Sequence, residues 1–378
     1  MRGTPVNRTP VRRACLASTA ILALGLTACG ASNETSTSSG DPATGESSAD
    51  GAADLSGKLS GAGASSQEAA MSGWRSGFQQ ANPDVTINYD PVGSGGGREA
   101  FISGGVTFAG SDAYLEGEEL TAAQKQCGGE FVEVPTYISP IAVVYNLPDV
   151  DELSLSPENI GAIFAGDITN WSDEAIAADN PNADLPDLRI SPVHRSDDSG
   201  TTENFTSYME VASGGTWSEG TVETWPIQGG EGADGTSGVV QAVGAGEGTI
   251  GYADASQAGD LGVAKVGVGE EFVEYSPEAA AAVVDASEPV EGRGATDLAI
   301  DVARDTTESG VYPIVLVSYE IACTQYDDAA QAELVKAFFS YIVSEEGQQA
   351  AAEAAGSAPI SEDLRGQAQT AIEAIETS

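Results

Sequence analysis

Three times along this chain a strand-like run ends in small hydroxyl residues and glycine, then gives way to a helical pattern. Residues 58–60 lead into Gly61-Ala62-Gly63-Ala64-Ser65-Ser66, and residues 67–80 then place Met71, Trp74 and Phe78 on one helical face. Residues 85–89 lead into Gly93-Ser94-Gly95-Gly96-Gly97 and a short helix through Phe101 and Ile102. Val193-His194-Arg195-Ser196-Asp197-Asp198 leads into Ser199-Gly200-Thr201-Thr202 and a helix over residues 203–209. A further strand, residues 106–109, ends at Gly110-Ser111-Asp112-Ala113. Repeated β-loop-α units build open α/β sheets, which bind ligands at the carboxyl ends of their strands.

The chemistry of these loops points to an anion. A helix start leaves backbone N–H groups without intrahelical partners, and the helix dipole adds partial positive charge there. Arg195, just upstream of one such start, adds a planar fork that matches an oxyanion. One segment of this kind alone reads as a surface turn with an N-cap; its recurrence favours a binding cleft.

The first 28 residues read as an export signal. Arg2, Arg8, Arg12 and Arg13 precede a short apolar run from Ala14 to Ala28. That run ends in Leu26-Thr27-Ala28-Cys29, similar to a bacterial lipobox in which the cysteine is lipidated. A plain secretory signal is the alternative. On the lipobox reading Cys29 would carry a lipid anchor, a diacylglyceryl group plus an amide-linked chain such as palmitate, on an extracytoplasmic membrane face. Residues 29–54 are rich in Ser, Thr and Gly and read as a flexible tether. The rest, from Leu55 onward, is long enough for two lobes.

The chain carries 15 basic and 58 acidic residues, a net charge of −43. Such a surface repels nucleic acid and anionic lipid, so no nucleic-acid partner is expected. An anion site in this chain has to work through short-range donors in a neutralised cleft. Of the four cysteines, Cys15 lies in the signal and Cys29 in the lipobox-like string, leaving Cys127 and Cys323. In an exported protein these two are expected to pair, with two buried thiols as the alternative. The only histidine is His194, and no CxxC or HxxxH spacing occurs, so no metal or other cofactor is expected.

Residues 131–135 and 141–145 read as two apolar strands around proline, and residues 312–319 as another. Such crossings suit a pair of linkers between two lobes. Helices are expected over about residues 329–344, 345–354 and 361–375. Gly246-Glu247-Gly248-Thr249-Ile250-Gly251 matches a dinucleotide fingerprint, yet a strand follows it where the motif needs a helix. An exported hydrolase is a weaker alternative. The nearest nucleophile string has Val92 where a glycine belongs, and any triad would hang on His194. No catalytic residue is therefore assigned.

Taken together in order, Gly61–Ser65, Gly93–Gly96, Gly110–Ala113 and Arg195–Thr201 resemble the substrate-binding protein (PstS family) of the bacterial Pst phosphate ABC transporter. Trp225-Pro226-Ile227-Gln228-Gly229-Gly230 and Gly248-Thr249-Ile250-Gly251-Tyr252 extend the resemblance, which runs from about Leu55 to the C-terminal helices. It implies an α/β, two-lobed periplasmic-binding-protein fold of type II, closing on its ligand at a two-strand hinge. Residues 55–136 and 317–378 would form lobe 1, and residues 137–316 lobe 2. It further implies a receptor that is not an enzyme; a monomer is the default, and the lipobox-like string at Cys29 supplies the membrane anchor. Such a receptor captures inorganic phosphate and delivers it to an ABC permease; arsenate or an organophosphate is the alternative ligand.

The resemblance also assigns roles. Ser65 and Ser94 would donate from hydroxyl and backbone, and Ser66 from its backbone N–H. Arg195 would supply the guanidinium, held by Asp197. Ser199, Gly200 and Thr201 would form the helix-start nest. Asp112 would accept from the protonated phosphate oxygen. An ionised carboxylate only accepts, and sulfate has no proton to give. Arsenate, protonated like phosphate, should be rejected far less well. Three positions depart from the family pattern. Ser65 stands for a common Thr, Ser66 for a bulky aromatic, and Asp198 for a common Gly. Asp198 would weaken the site only if its carboxylate pointed inward. His194 is expected to be a partly exposed strand residue.

Overall fold

The computed structural model describes residues 55–377; the signal, Cys29 and the tether lie outside the described residues. The described residues begin with two β-loop-α units in sequence. Strand β1 (Gly57–Gly63) feeds helix α1 (Glu68–Ala81), and β2 (Val85–Asp90) feeds α2 (Ser94–Ile102). Strand β3 (Phe108–Ser111) leads to α3 (Gly117–Gln126), and β4 (Phe131–Asn146) follows. β2, β1 and β3 lie side by side and parallel, as crossover helices require.

A second parallel set is built later in the chain. The strands Thr249–Asp254, Ser191–Arg195 and Glu231–Ala233 are neighbours in that order. Between the two sets run β4 and the strand Val315–Cys323, antiparallel to each other over nine register pairs. The Val315–Cys323 strand joins β3 on one side, and β4 joins Thr249–Asp254 on the other. Two parallel α/β halves therefore share one antiparallel two-strand connection.

The sequence pattern divides β4 into two strands around proline, but the structure has one strand of 16 residues. Pairing with Thr249–Asp254 starts only at Ile141, so Pro135 and Pro140 meet no strand on that edge. Proline is tolerated there because no ladder bond needs its missing N–H. The register shifts between Ser318 and Tyr319, opposite Thr136. The Gly95–Gly97 run also differs from expectation, being the first turn of α2 and not a loop. Its glycines serve close approach: a Cβ on Gly97 would lie 2.4 Å from the Gly63 Cα.

Each half holds its own aromatic group within one continuous hydrophobic core. Trp74, Phe78, Phe108, Phe338 and Phe339 fill the first, with Phe108 edge-on to both Phe338 and Phe339. Phe164, Phe205 and Tyr252 fill the second. Full burial of each such side chain stabilises by about 1.5–3 kcal/mol. The C-terminal helices Ala329–Val343, Glu345–Ala355 and Glu362–Glu373 sit near their expected positions. Helix Glu345–Ala355 packs on α1, where the Trp74 indole donates to Gly347 O at 2.8 Å. Cys127 and Cys323 are joined in a disulfide linking the end of α3 to the end of a hinge strand. The string at Gly246 is a turn into the buried strand Thr249–Asp254. Among the described residues, no helix is long and apolar enough to cross a membrane, and no cluster could hold a metal.

Candidate functional site

Four helix starts converge between the two halves. Ser65 and Ser66 precede α1, and Ser94 opens α2. Ser199 caps helix Gly200–Ala212 by accepting from Thr202 N at 3.1 Å. Thr236 lies in the first turn of helix Gly235–Ala245. The contacts between halves are direct. Ser65 Oγ accepts from Thr236 N and also meets the Thr236 hydroxyl, each at 3.1 Å. A Cβ on Gly200 would lie 2.5 Å from Ser94 Oγ and 2.8 Å from the Asp112 Cβ, so only glycine fits.

Asp112 sits at the centre, just past the end of β3. Its carboxylate accepts from the Ser66 hydroxyl at 2.8 and 2.7 Å, from Ser318 at 2.5 Å and from Thr201 at 3.0 Å. Its backbone N–H donates to Ser94 Oγ at 3.1 Å. Burial pushes the Asp112 carboxyl above its usual range, against the pull of Ser318, Ser66, Thr201 and Arg195. A group in this setting costs free energy when charged unless donors surround it, and three hydroxyls do so.

Arg195 ends the strand Ser191–Arg195 and is 2% exposed. Its Nε donates to Asp197 Oδ1 at 2.7 Å and its Nη2 pairs with Asp197 Oδ2. That leaves Nη1 facing Thr201 Oγ1 at 3.5 Å. Burial alone would raise the Asp197 carboxyl, but hydrogen bonding and charge from Arg195 hold it below its ordinary value. The Arg195 backbone N–H donates to the Tyr252 hydroxyl at 3.2 Å, and that hydroxyl meets Thr202 Oγ1 at 2.7 Å.

The structure thus brings Ser65, Ser66, Ser94, Asp112, Arg195, Ser199, Gly200 and Thr201 into one buried cluster, with Asp197 behind Arg195. Ser66 goes beyond its expected backbone role, since its hydroxyl is a partner of Asp112. A bulky aromatic at that position would remove this donor. Asp198 points outward, with Oδ1 accepting from the Thr224 hydroxyl at 2.5 Å. His194 is half-buried, stacked on Trp225 with ring centroids 4.9 Å apart, and its ring nitrogens meet Arg195 O and Gly229 O.

Several contributors carry no clear sequence signal. Ser318 lies inside a buried, mostly apolar strand that also holds Glu320, and only its place beside β4 brings it to Asp112. Asn204 donates to Asp112 O and Gly200 O, and Gln257 donates to Ser65 O. Thr236 was legible in principle, because Asp234-Gly235-Thr236-Ser237-Gly238 is another hydroxyl-and-glycine helix start.

Chemically, the cluster offers orphan N–H groups, a guanidinium and hydroxyls around one carboxylate. Residues 40–346 match the model of the PBP superfamily domain. The chain is 35% identical to phosphate-binding protein PstS 3 of Mycobacterium tuberculosis H37Rv, over 93% of this chain and 95% of that one. The chain belongs to the PstS family of phosphate-binding proteins. It is also 32% identical to PstS of Xylella fastidiosa, over 75% of this chain and 76% of that one. A high-affinity periplasmic phosphate-binding protein, PfluDING, solved with phosphate, shares the fold at TM-score 0.68 and 23% identity, covering 82% of this chain and 92% of that one. The phosphate-binding protein of Stenotrophomonas maltophilia does so at TM-score 0.64 and 20% identity, covering 83% and 94%. The fold is the two-lobed one of periplasmic binding proteins, and the family is one of transport receptors, not enzymes.

Proposed function

We propose that this protein is an extracytoplasmic receptor that captures inorganic phosphate and hands it to an ABC permease. The observation that carries the proposal is Asp112. It is a buried acceptor ringed by hydroxyls, beside the Arg195 fork and four helix starts. Ser65, Ser66, Ser94, Arg195, Ser199, Gly200 and Thr201 donate to the anion, and Asp112 accepts its proton. The carboxylate has about four lone-pair sites, and the hydroxyls of Ser66, Ser318 and Thr201, with one proton each, occupy three of them. A phosphate hydroxyl takes up the remaining acceptor capacity.

The lobes divide as residues 55–136 with 317–378, and residues 137–316. β4 and the strand Val315–Cys323 bend as the hinge between them. Closure draws its free energy from anion contacts made by both lobes. Burial supports inorganic phosphate over an organophosphate, since Ser66, Ser199 and Thr201 are at most 1% exposed. The chain is anchored to the membrane through a lipidated Cys29 and acts as a monomer. Titration with phosphate, sulfate and arsenate tests the reading. Tight phosphate and weaker arsenate binding with silent sulfate is expected, and equal sulfate and phosphate affinities would overturn it.

A further inference from the structure

Arg98 lies one helical turn past Ser94 in α2 and is 3% exposed. Its guanidinium reaches three ways. Nε donates to Glu119 Oε2 at 2.6 Å and Nη1 to Ser111 Oγ at 2.9 Å. Nη2 donates to both carboxylate oxygens of Glu223, at 2.8 and 2.7 Å. Glu119 and Ser111 belong to α3 and β3, the same half of the molecule as Arg98. Glu223 belongs to the other half, in the segment after helix Gly200–Ala212. Its backbone oxygen accepts from Ser199 N at 3.3 Å, so its position is tied to the helix start at the site. A second strut lies alongside, where Gly95 N donates to Asp198 O at 3.2 Å.

We propose that Arg98 and Glu223 form a latch across the cleft that sets how long the bound anion stays. This rests on the phosphate-receptor reading and its division into lobes. The argument is one of asymmetry. Glu119 and Ser111 hold the guanidinium aimed whether the cleft is open or closed. Glu223 meets it only in the closed form. A buried ion pair inside one lobe contributes little net stability after desolvation. A pair made in only one of two conformations puts whatever it contributes into the balance between them. Opening the cleft must break two charge-assisted hydrogen bonds, so the latch acts on release. The encounter with phosphate, which happens before closure, is left alone.

The local charge supports this arrangement. Burial first, and then the Glu223 carboxylate, push the carboxyl of Glu203 up to about 8. That shift favours the neutral form of Glu203 beside Arg98.

The test compares wild-type, Glu223→Gln and Glu119→Gln full-length protein. Bound radiolabelled phosphate is chased with excess unlabelled phosphate, and association is measured separately. Glu223→Gln is expected to release phosphate faster by about tenfold, with association and the ligand-free Tm unchanged. Glu119→Gln keeps an acceptor oxygen for Arg98 Nε and so keeps the guanidinium aimed; it should leave release within about twofold of wild type. An unchanged release rate in Glu223→Gln overturns the latch. So does a drop in ligand-free Tm that accounts for the whole effect. If wild-type protein binds no phosphate, the receptor reading itself falls. The latch is then judged by small-angle scattering of the ligand-free protein. A larger radius of gyration in Glu223→Gln than in wild type supports it, and equal radii overturn it.

Discussion

Replacing Asp112 by asparagine separates charge from shape at the centre of the site. The carboxylate accepts from Ser66, Ser318 and Thr201. Asparagine keeps one of its two oxygens and replaces the other with a donor. At least one of those hydroxyls must then turn away. Volume is conserved, so the cost to folding is limited to hydrogen bonds of about 1 kcal/mol each. Toward phosphate the variant loses a charged acceptor worth about 1.5–3 kcal/mol, a rise in Kd of roughly 10- to 150-fold. Toward sulfate the sign reverses. The bare anion no longer faces a buried carboxylate, and the new amide can donate to it, so affinity should rise by about tenfold or more. The ratio of sulfate to phosphate Kd should therefore fall by at least about 10²-fold. Competitive calorimetry at matched ionic strength reads that ratio. An unchanged ratio, with phosphate weakened or not, would show that Asp112 does not filter the ligand.

Three further outcomes follow from the same geometry. Arg195→Ala removes the guanidinium and leaves Asp197 buried without its ion pair, so phosphate binding should weaken by about 3–5 kcal/mol. Near-wild-type affinity by calorimetry would take Arg195 out of the site. Cys127 and Cys323 are 196 residues apart in sequence. In the chain-entropy treatment, replacing both by serine should cost about 5 kcal/mol, read as a lower denaturant midpoint. No shift in that midpoint would contradict the expectation. The pH dependence has a definite sign. Burial raises Asp254 to about 6 and Glu203 to about 8. A carboxyl raised on folding gives stability that is full below its unfolded pKa and lost as pH rises through the folded one. The ligand-free Tm should therefore fall from about pH 5 to about pH 8, and a steady rise would refute the assignment. Asp197, held low by Arg195, works the other way and loses its contribution only in more acid solution.

Much of this was legible in the residues because local rules governed it. A hydroxyl and glycine after a strand fix a helix start, and a helix start fixes where N–H groups point. Ser65, Ser94 and Ser199–Thr201 follow from that logic, the role of Asp112 is implied by the resemblance to the PstS family, and the structure gathers them in one place. What was not legible depends on tertiary neighbours. Pro135 and Pro140 break a local strand pattern, yet β4 runs through both because one of its edges has no partner strand there. Ser318 looks like a stray hydroxyl in a core strand until the register beside β4 carries it to Asp112. The resemblance assigns Ser66 only its N–H, and the role of its hydroxyl depends on the approach of Asp112. Arg98 reads as an ordinary helix cation, and only Glu223, 125 residues further along the chain, gives it a role.

The decisive measurement is calorimetric titration of protein stripped of carried-over anion by unfolding and refolding, first with phosphate and then with sulfate. Saturable phosphate binding at one site per chain, with no sulfate heat, is the predicted result. A folded sample that gives no phosphate heat, or takes up sulfate equally well, would contradict the phosphate-receptor reading.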